Sequence, residues 1–131
     1  MGKKTNVQSA VQQIDQYQAT GAAPVAVDNT AAGIVVRAGN ASAGEVIESI
    51  IVANPTGGGL SCILYMLPIP AGTPTLTDAM KVAFSGTVST VSSAQLLTRN
   101  LFLPPGYQLR AVASGAGPVN LTVSGRGDEL V

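Results

Sequence analysis

The sequence contains no histidine and no tryptophan, and a single cysteine, Cys62, in 131 residues. Lack of histidine removes the commonest general base, the commonest metal ligand and the usual form of the catalytic triad. One thiol and no imidazole leave no zinc-ligand set, and a lone thiol cannot close a bridge within the chain. Its setting in "LSCILYM" marks Cys62 as a small core residue. Charge is also scarce. Seven basic residues balance seven acidic ones, and together they make up 11% of the chain, against roughly a quarter in an ordinary globular domain. There is no basic footprint for nucleic acid, so no nucleic-acid partner is expected. Aromatic residues are limited to Tyr17, Tyr65, Tyr107, Phe84 and Phe102. That is too few for a platform that stacks bases or sugars.

Long apolar runs are missing too. "IIVA" and "CILYMLPI" fall far short of the roughly 20 residues that span a bilayer, so no membrane association is expected. The basic start Met1-Gly2-Lys3-Lys4 is not followed by the apolar stretch of a signal peptide. Asn6 stands where a myristoylation signal needs Ser or Thr. The expectation is a soluble protein made in a cytoplasm. Apolar residues still reach 46% of the chain. A surface so poor in charge implies extensive cover by other subunits.

The motifs that resemble chemical sites fail on inspection. Glu45 and Glu48 are three apart on a candidate strand, which sends them to opposite faces, so no acid–base pair is expected there. "NPTGGGLS" is glycine-rich but lacks the Lys-Ser/Thr of a phosphate loop and is followed by a strand, so a hairpin turn is expected. Arg126-Gly127-Asp128 is a tripeptide known from cell adhesion, expected here as a surface turn. Asn40-Ala41-Ser42 and Asn120-Leu121-Thr122 are formal glycosylation acceptors with no secretory route to use them. No catalytic residue, cofactor or metal site is expected.

The chain divides by texture. Residues 1–32 are rich in Gln, Ala and small polar residues. Val7, Val11, Ile14 and Tyr17 recur at helical spacing, which predicts a short amphipathic helix over about residues 5–18. "ATGAAPVAVDNTAAG" then reads as an extended linker. An isolated helix of this length is marginal in water, so the arm is expected to order only against a neighbour. Val7, Val11, Ile14, Tyr17, Val25 and Val27 are its candidate anchors. The alternative is that the arm folds back over its own domain.

From residue 33 to 131 the pattern is β. "GIVVRAG", "EVIESIIVAN", "LSCILYMLP", "KVAFSGTVSTV", "QLLTRNLFL", "YQLRAVAS" and "VNLTVSG" are strand candidates rich in Val, Ile, Leu and Thr, separated by Gly, Pro and Asn turns. This spacing predicts an all-β, antiparallel sandwich. "TLTDAMKVA" is a helical competitor, expected as one turn before a strand. "YQLRAVA" and "VNLTVS" alternate cleanly and have one wet face. "SCILYML" and "VIESIIVA" are apolar on both faces, so something must cover the second. Another copy of the protein, or another protein, is the expected cover.

A resemblance rests on particular residues. Ala71-Gly72-Thr73-Pro74 through Asp78-Ala79 form a loop; Leu103, Gly106, Leu109, Ala111, Ala113 and Ser114 form a strand element; Val119, Thr122, Val123, Ser124 and Gly125 form another. From about Arg37 to Leu130 the sequence resembles small virion structural proteins of tailed bacteriophages. It departs from them at Tyr107, where many have Asp after the glycine. The resemblance implies a jelly-roll-like sandwich that acts in many copies as a capsid decoration or cement protein. Its partners would be the major capsid protein and copies of itself, as dimer or trimer. It would be made in the host cytoplasm and reside on the capsid surface. A tail, collar or baseplate accessory protein of the same fold is the alternative; a receptor- or carbohydrate-binding module is a further one.

Overall fold

The computed structural model of the chain describes residues 19–20, 24–55, 58–97 and 99–127. Ten strands run in chain order: β1 (Ala19–Thr20), β2 (Val25–Val27), β3 (Ile34–Arg37), β4 (Glu45–Asn54), β5 (Cys62–Pro68), β6 (Lys81–Phe84), β7 (Ser92–Gln95), β8 (Leu101–Leu103), β9 (Tyr107–Ala113) and β10 (Val119–Gly127). They form two antiparallel sheets. In the first, β10 lies between β4 and the pair β1 and β2, and β7 and β8 flank the far side of β4. In the second, the order is β3-β9-β5-β6. Counting β2 as the first strand and β7 with β8 as one interrupted strand, the orders become 1-8-3-6 and 2-7-4-5. These are the two sheets of an eight-stranded jelly roll, a sandwich as the strand pattern predicts and of the form that the resemblance implies.

One expectation about the arm changes. Val25–Val27 is not linker: it pairs with β10 at residues 119–121 as the first strand of the roll. Val27 is fully buried in this chain's own core, so it is not an anchor for a neighbour, and Val25 is half-buried against the same core. The sandwich therefore begins before residue 33. Asp28 ends the strand with a tight turn, its carboxylate accepting hydrogen bonds from the Thr30 hydroxyl (2.6 Å) and N–H (3.0 Å). The same bonds, the hydroxyl's foremost, hold the Asp28 carboxyl below its ordinary pKa. Val7, Val11, Ile14 and Tyr17 lie outside the described residues.

The core fills the space between the sheets with Ile47, Ile50, Val52, Leu103, Val119, Leu121 and Val123 from one side and Cys62, Leu64, Leu109, Ala111 and Ala113 from the other. Ile47 and Ile50 both point inward although they are three apart. The register of β4 on β10 slips by one residue, with Ile47 opposite Gly125 and Ser49 opposite Ser124, so Glu48 is the extra residue of a bulge. The apolar run "VIESIIVA" is thus an inward run whose phase changes once. Of its apolar residues, Ile51 and half-buried Val46 and Ala53 remain outside.

A second bulge has a comparable effect on β3. Val36 is the extra residue against β9, so that Val36 is buried and Arg37 stands opposite inward-pointing Leu109. From there the Arg37 guanidinium crosses to the other sheet. Its Nε donates to Glu45 Oε2 at 3.0 Å and its terminal nitrogen donates to the Val123 carbonyl at 3.2 Å. Both side chains are mostly buried, 18% and 12% exposed.

β5 is apolar on both faces, as its sequence indicates. Cys62, Leu64 and Met66 face the core, while Tyr65 and Leu67 on the outer face are also buried. Their cover is not another copy. The segment from Ile69 to Met80 runs back over this face. Leu76 comes against Gly33 and Arg110, and the single 3₁₀ turn Asp78–Met80 packs on β5 before β6 begins. Gln108 is buried on the same face and accepts from Arg110 Nε at 2.6 Å, while Arg110 also donates to the carbonyls of Ala32 and Gly33.

The β4 bulge generates a prediction. A Cβ on Gly125 would collide with the Val46 carbonyl oxygen and crowd Ile47 Cα. Gly125→Ala is expected to cost on the order of 1–3 kcal/mol, the usual penalty for overpacking. It should lower the thermal midpoint by at least several degrees in a circular-dichroism melt. An unchanged midpoint would show that the two strands can separate at the bulge without cost.

Candidate interaction surface

The described residues contain no group of three or more His, Cys, Asp or Glu side chains arranged to hold a metal ion. No helix among them is long and apolar enough to cross a membrane. The residues examined in the sequence as chemical candidates take structural positions instead. Glu45 pairs with Arg37, and Glu48 with Arg126 at 3.4 Å, so the two carboxylates serve different partners. Arg126 and Gly127 belong to β10, paired with Val46 and Glu45, and are not in the surface turn expected of that tripeptide. "NPTGGGLS" joins strands of different sheets, so it is a crossover and not a hairpin turn. The Asn40 side-chain oxygen accepts from the Ser42 N–H and hydroxyl and the Ala43 N–H, which makes it the organiser of a turn. Tyr107 keeps the inward phase of β9 but sits at the strand's open end, partly exposed.

Asn54 is a buried polar residue whose role the sequence did not suggest. Its side-chain amide donates to the carbonyls of Gly58 and Val88, each at 2.8 Å, and its main-chain carbonyl accepts from the Val91 N–H at 2.7 Å. One side chain thus holds two loops at the same end of the sandwich. The second loop carries a strained residue: Val91 has φ of 54°, a left-handed conformation that a β-branched side chain rarely adopts.

What the surface offers is apolar. Val91 is 84% exposed, Phe84 74%, Phe102 54% and Ile51 44%. They lie in separate places. Phe102 stands beside half-buried Val46 at one end of the outer face of the β10–β4 sheet, and Ile51 lies further along β4 beside Gln95 on the same face, whose other outward residues include Ser49, Thr122 and Ser124. Phe84 and Val82 stand on β6 at the open side of the sandwich, beside a cleft lined by Val82, Ala83, Leu96, Leu97 and Leu101 together with Arg99 and Asn100. Val91 rims a shallow depression formed with Ala53, Asn54, Pro55, Ser92 and Ser93. In the sequence these residues are single apolar letters within turns or short strands, and no period distinguishes them. Only the strand phases show which ones face out.

Cys62, the one thiol, is buried, and desolvation pushes its pKa from 9.0 up to about 12. It should remain unreactive toward a thiol-specific disulfide reagent at pH 8 in the native protein and react stoichiometrically in denaturant. Because the folded thiol keeps its proton while the unfolded one loses it, stability should fall as pH rises from about 9 toward 12. Urea midpoints measured across that window, with Cys62→Ala as the control, isolate the contribution. Val91→Asn should raise stability by about 1 kcal/mol, since Asn tolerates the left-handed region. A fall in the midpoint would mean that the valine side chain makes a contact worth more than its strain.

No family model matches the chain, and neither does any curated protein or solved structure.

Proposed function

We propose that the chain is a non-enzymatic structural subunit of a bacteriophage particle, most simply a decoration or cement protein on the capsid. The observation that carries this reading is the distribution of exposed apolar side chains. Phe84, Val91, Ile51 and Phe102 are dispersed over separate strands and loops of one small sandwich. A subunit joined to several neighbours uses such an arrangement, whereas a small-molecule site gathers its apolar side chains into one pocket. The charge content of 11% agrees with a surface that spends its life against other protein. The jelly-roll order of the strands agrees with the resemblance of residues 37–130 to phage virion proteins.

The mechanism is additive contact area. A protein that binds the assembled shell and not the free capsid subunit stabilises the shell by mass action. Repetition over the particle multiplies modest interfaces. The major capsid protein and further copies of this chain are the partners this reading requires.

Quantitative mass spectrometry of purified particles from the phage that encodes the chain tests it. Copy number comparable to that of the major capsid protein is expected. A few dozen copies or fewer would move the protein to the tail or baseplate, and absence from the particle would overturn the reading. Phe84→Asp should lower occupancy and the particle's thermal disruption temperature together, while leaving the melting of the isolated sandwich nearly unchanged.

A further inference from the structure

The outer face of the β9–β5 sheet is covered unevenly. β5 sends Ile63, Tyr65 and Leu67 outward in turn. Ile63 stands in a row with Phe84 on β6 and Val112 on β9, where Phe84 is largely exposed and the other two are half-buried. Tyr65, Leu67 and, on β9, Gln108 lie under the strap formed by the segment from Ile69 to Met80, and are only 9%, 2% and 5% exposed. Yet no residue of the strap is itself buried. Pro70, Pro74, Leu76 and Met80 are half-buried and the rest are exposed.

The strap is fastened at its ends. At one, the Ile69 N–H donates to the Gly106 carbonyl at 2.9 Å. At the other, the Met80 N–H donates to the Thr77 carbonyl at 3.1 Å, and the Lys81 N–H donates to the Asp78 carbonyl. Lys81 Nζ also meets the Asp78 carboxylate at 2.9 Å, an ion pair internal to that end. Between the ends, residues 70–76 make no hydrogen bond to either sheet among the described residues. A Cβ on Gly72 would meet nothing within 4 Å, so the strap stands clear of the sandwich there. Leu76 is its inward pin, seated over Gly33 beside the stem of Arg110. The Arg110 guanidinium does not hold the strap, because it is engaged by Gln108 and by the carbonyls of Ala32 and Gly33.

A segment with solvated backbone and few apolar contacts opens at lower free-energy cost than the hydrogen-bonded strands beneath it. We infer that residues 70–77 are a flap, which swings away from Tyr65, Leu67 and Gln108 while both sheets stay folded, hinged at Ile69 and at the turn Asp78–Met80. Opening joins Tyr65 and Leu67 to Ile63 as one apolar stripe along β5. Closing hides all of that stripe except its first residue. This inference holds whatever particle or partner the sandwich serves.

Thiol labelling of the full chain at pH 8 tests it. Leu67→Cys and Gln108→Cys, each combined with Cys62→Ala, place a probe under the strap from two different strands, so one serves if the other misfolds. Each probe should be labelled roughly a hundredfold faster than Cys62 of the unaltered chain, which lies between the sheets and is reached only by unfolding them. Below the unfolding transition the probes' rates should hardly change with urea, because a flap exposes little surface, while that of Cys62 climbs steeply. Adding Leu76→Ala should speed both probes about tenfold, since labelling tracks the open population. Probes that share the urea dependence of Cys62 overturn the inference, because the strap would then leave only when the sandwich unfolds. Rates unmoved by Leu76→Ala also overturn it, because the reagent would be entering by another route.

Discussion

Each sheet of a sandwich has two faces and can turn only one of them toward the shared core. Every other feature of this molecule follows from how the remaining two faces are treated. On the β9–β5 sheet the outer residues Tyr65 and Leu67 are as buried as core residues, because the strap between β5 and β6 returns over them. This is economical in sequence: half-buried Pro74, Leu76 and Met80 supply apolar contacts while the intervening threonines stay in water. On the β10–β4 sheet the outward positions are mainly Ser, Thr and Asn, interrupted by a few large apolar side chains. Small polar residues on a strand can meet either water or protein at low cost.

The charged residues are few enough that placement matters more than number. Two bulges do the placing. The one on β4 turns Ile47 and Ile50 to the same side and puts Glu48 outside, where it meets Arg126. The one on β3 turns Arg37 inward, where it reaches both Glu45 and the Val123 carbonyl of the opposite sheet. A buried ion pair is seldom worth more than a hydrophobic replacement, but leaving either partner alone is costly. Its contribution here is geometric. It ties the two sheets together at one end of the core, while Asn54 gathers the loops beside Val88 and Val91 elsewhere.

Alternation and turn residues made much of this legible in the sequence. The clean period of "YQLRAVA" and "VNLTVS" placed β9 and β10 correctly, but the wet face expected of β9 is covered, with Gln108 buried on it; the doubly apolar "SCILYML" was read correctly as buried on both sides. The cover was misjudged because a strap of Pro, Thr and Gly has no secondary-structure period to announce it. "VIESIIVA" was misread because a bulge is a phase change, and a phase change within an apolar run leaves no mark in composition. β2 was taken for linker since three residues among alanines carry too little pattern, although β10 pairs with all of them. β7, "SSAQ", is invisible for the opposite reason: it is polar, and its pairing with β4 makes it a strand. The exposed apolar residues were legible only in aggregate, as a chain with too little charge for its surface.

That shortage of charge raises a question of specificity, since exposed apolar side chains and open sheet edges are the ingredients of indiscriminate aggregation. The edges settle which of the two this protein uses. Among the described residues every outer strand is four residues or shorter: β1 and β2 on one edge of the first sheet, β7 and β8 on the other, β3 and β6 on the second. β3 and β6 are bulged as well, each with a register slip against its neighbour. Short, bulged edges make poor templates for adding a foreign strand. On the function proposed above, association is left to side chains such as Phe84, Val91 and Phe102, whose fit depends on shape. Backbone pairing would accept almost any extended chain, whereas a partner for these patches must bring pockets of matching outline. A subunit built this way can carry an apolar surface and still be selective about what it joins.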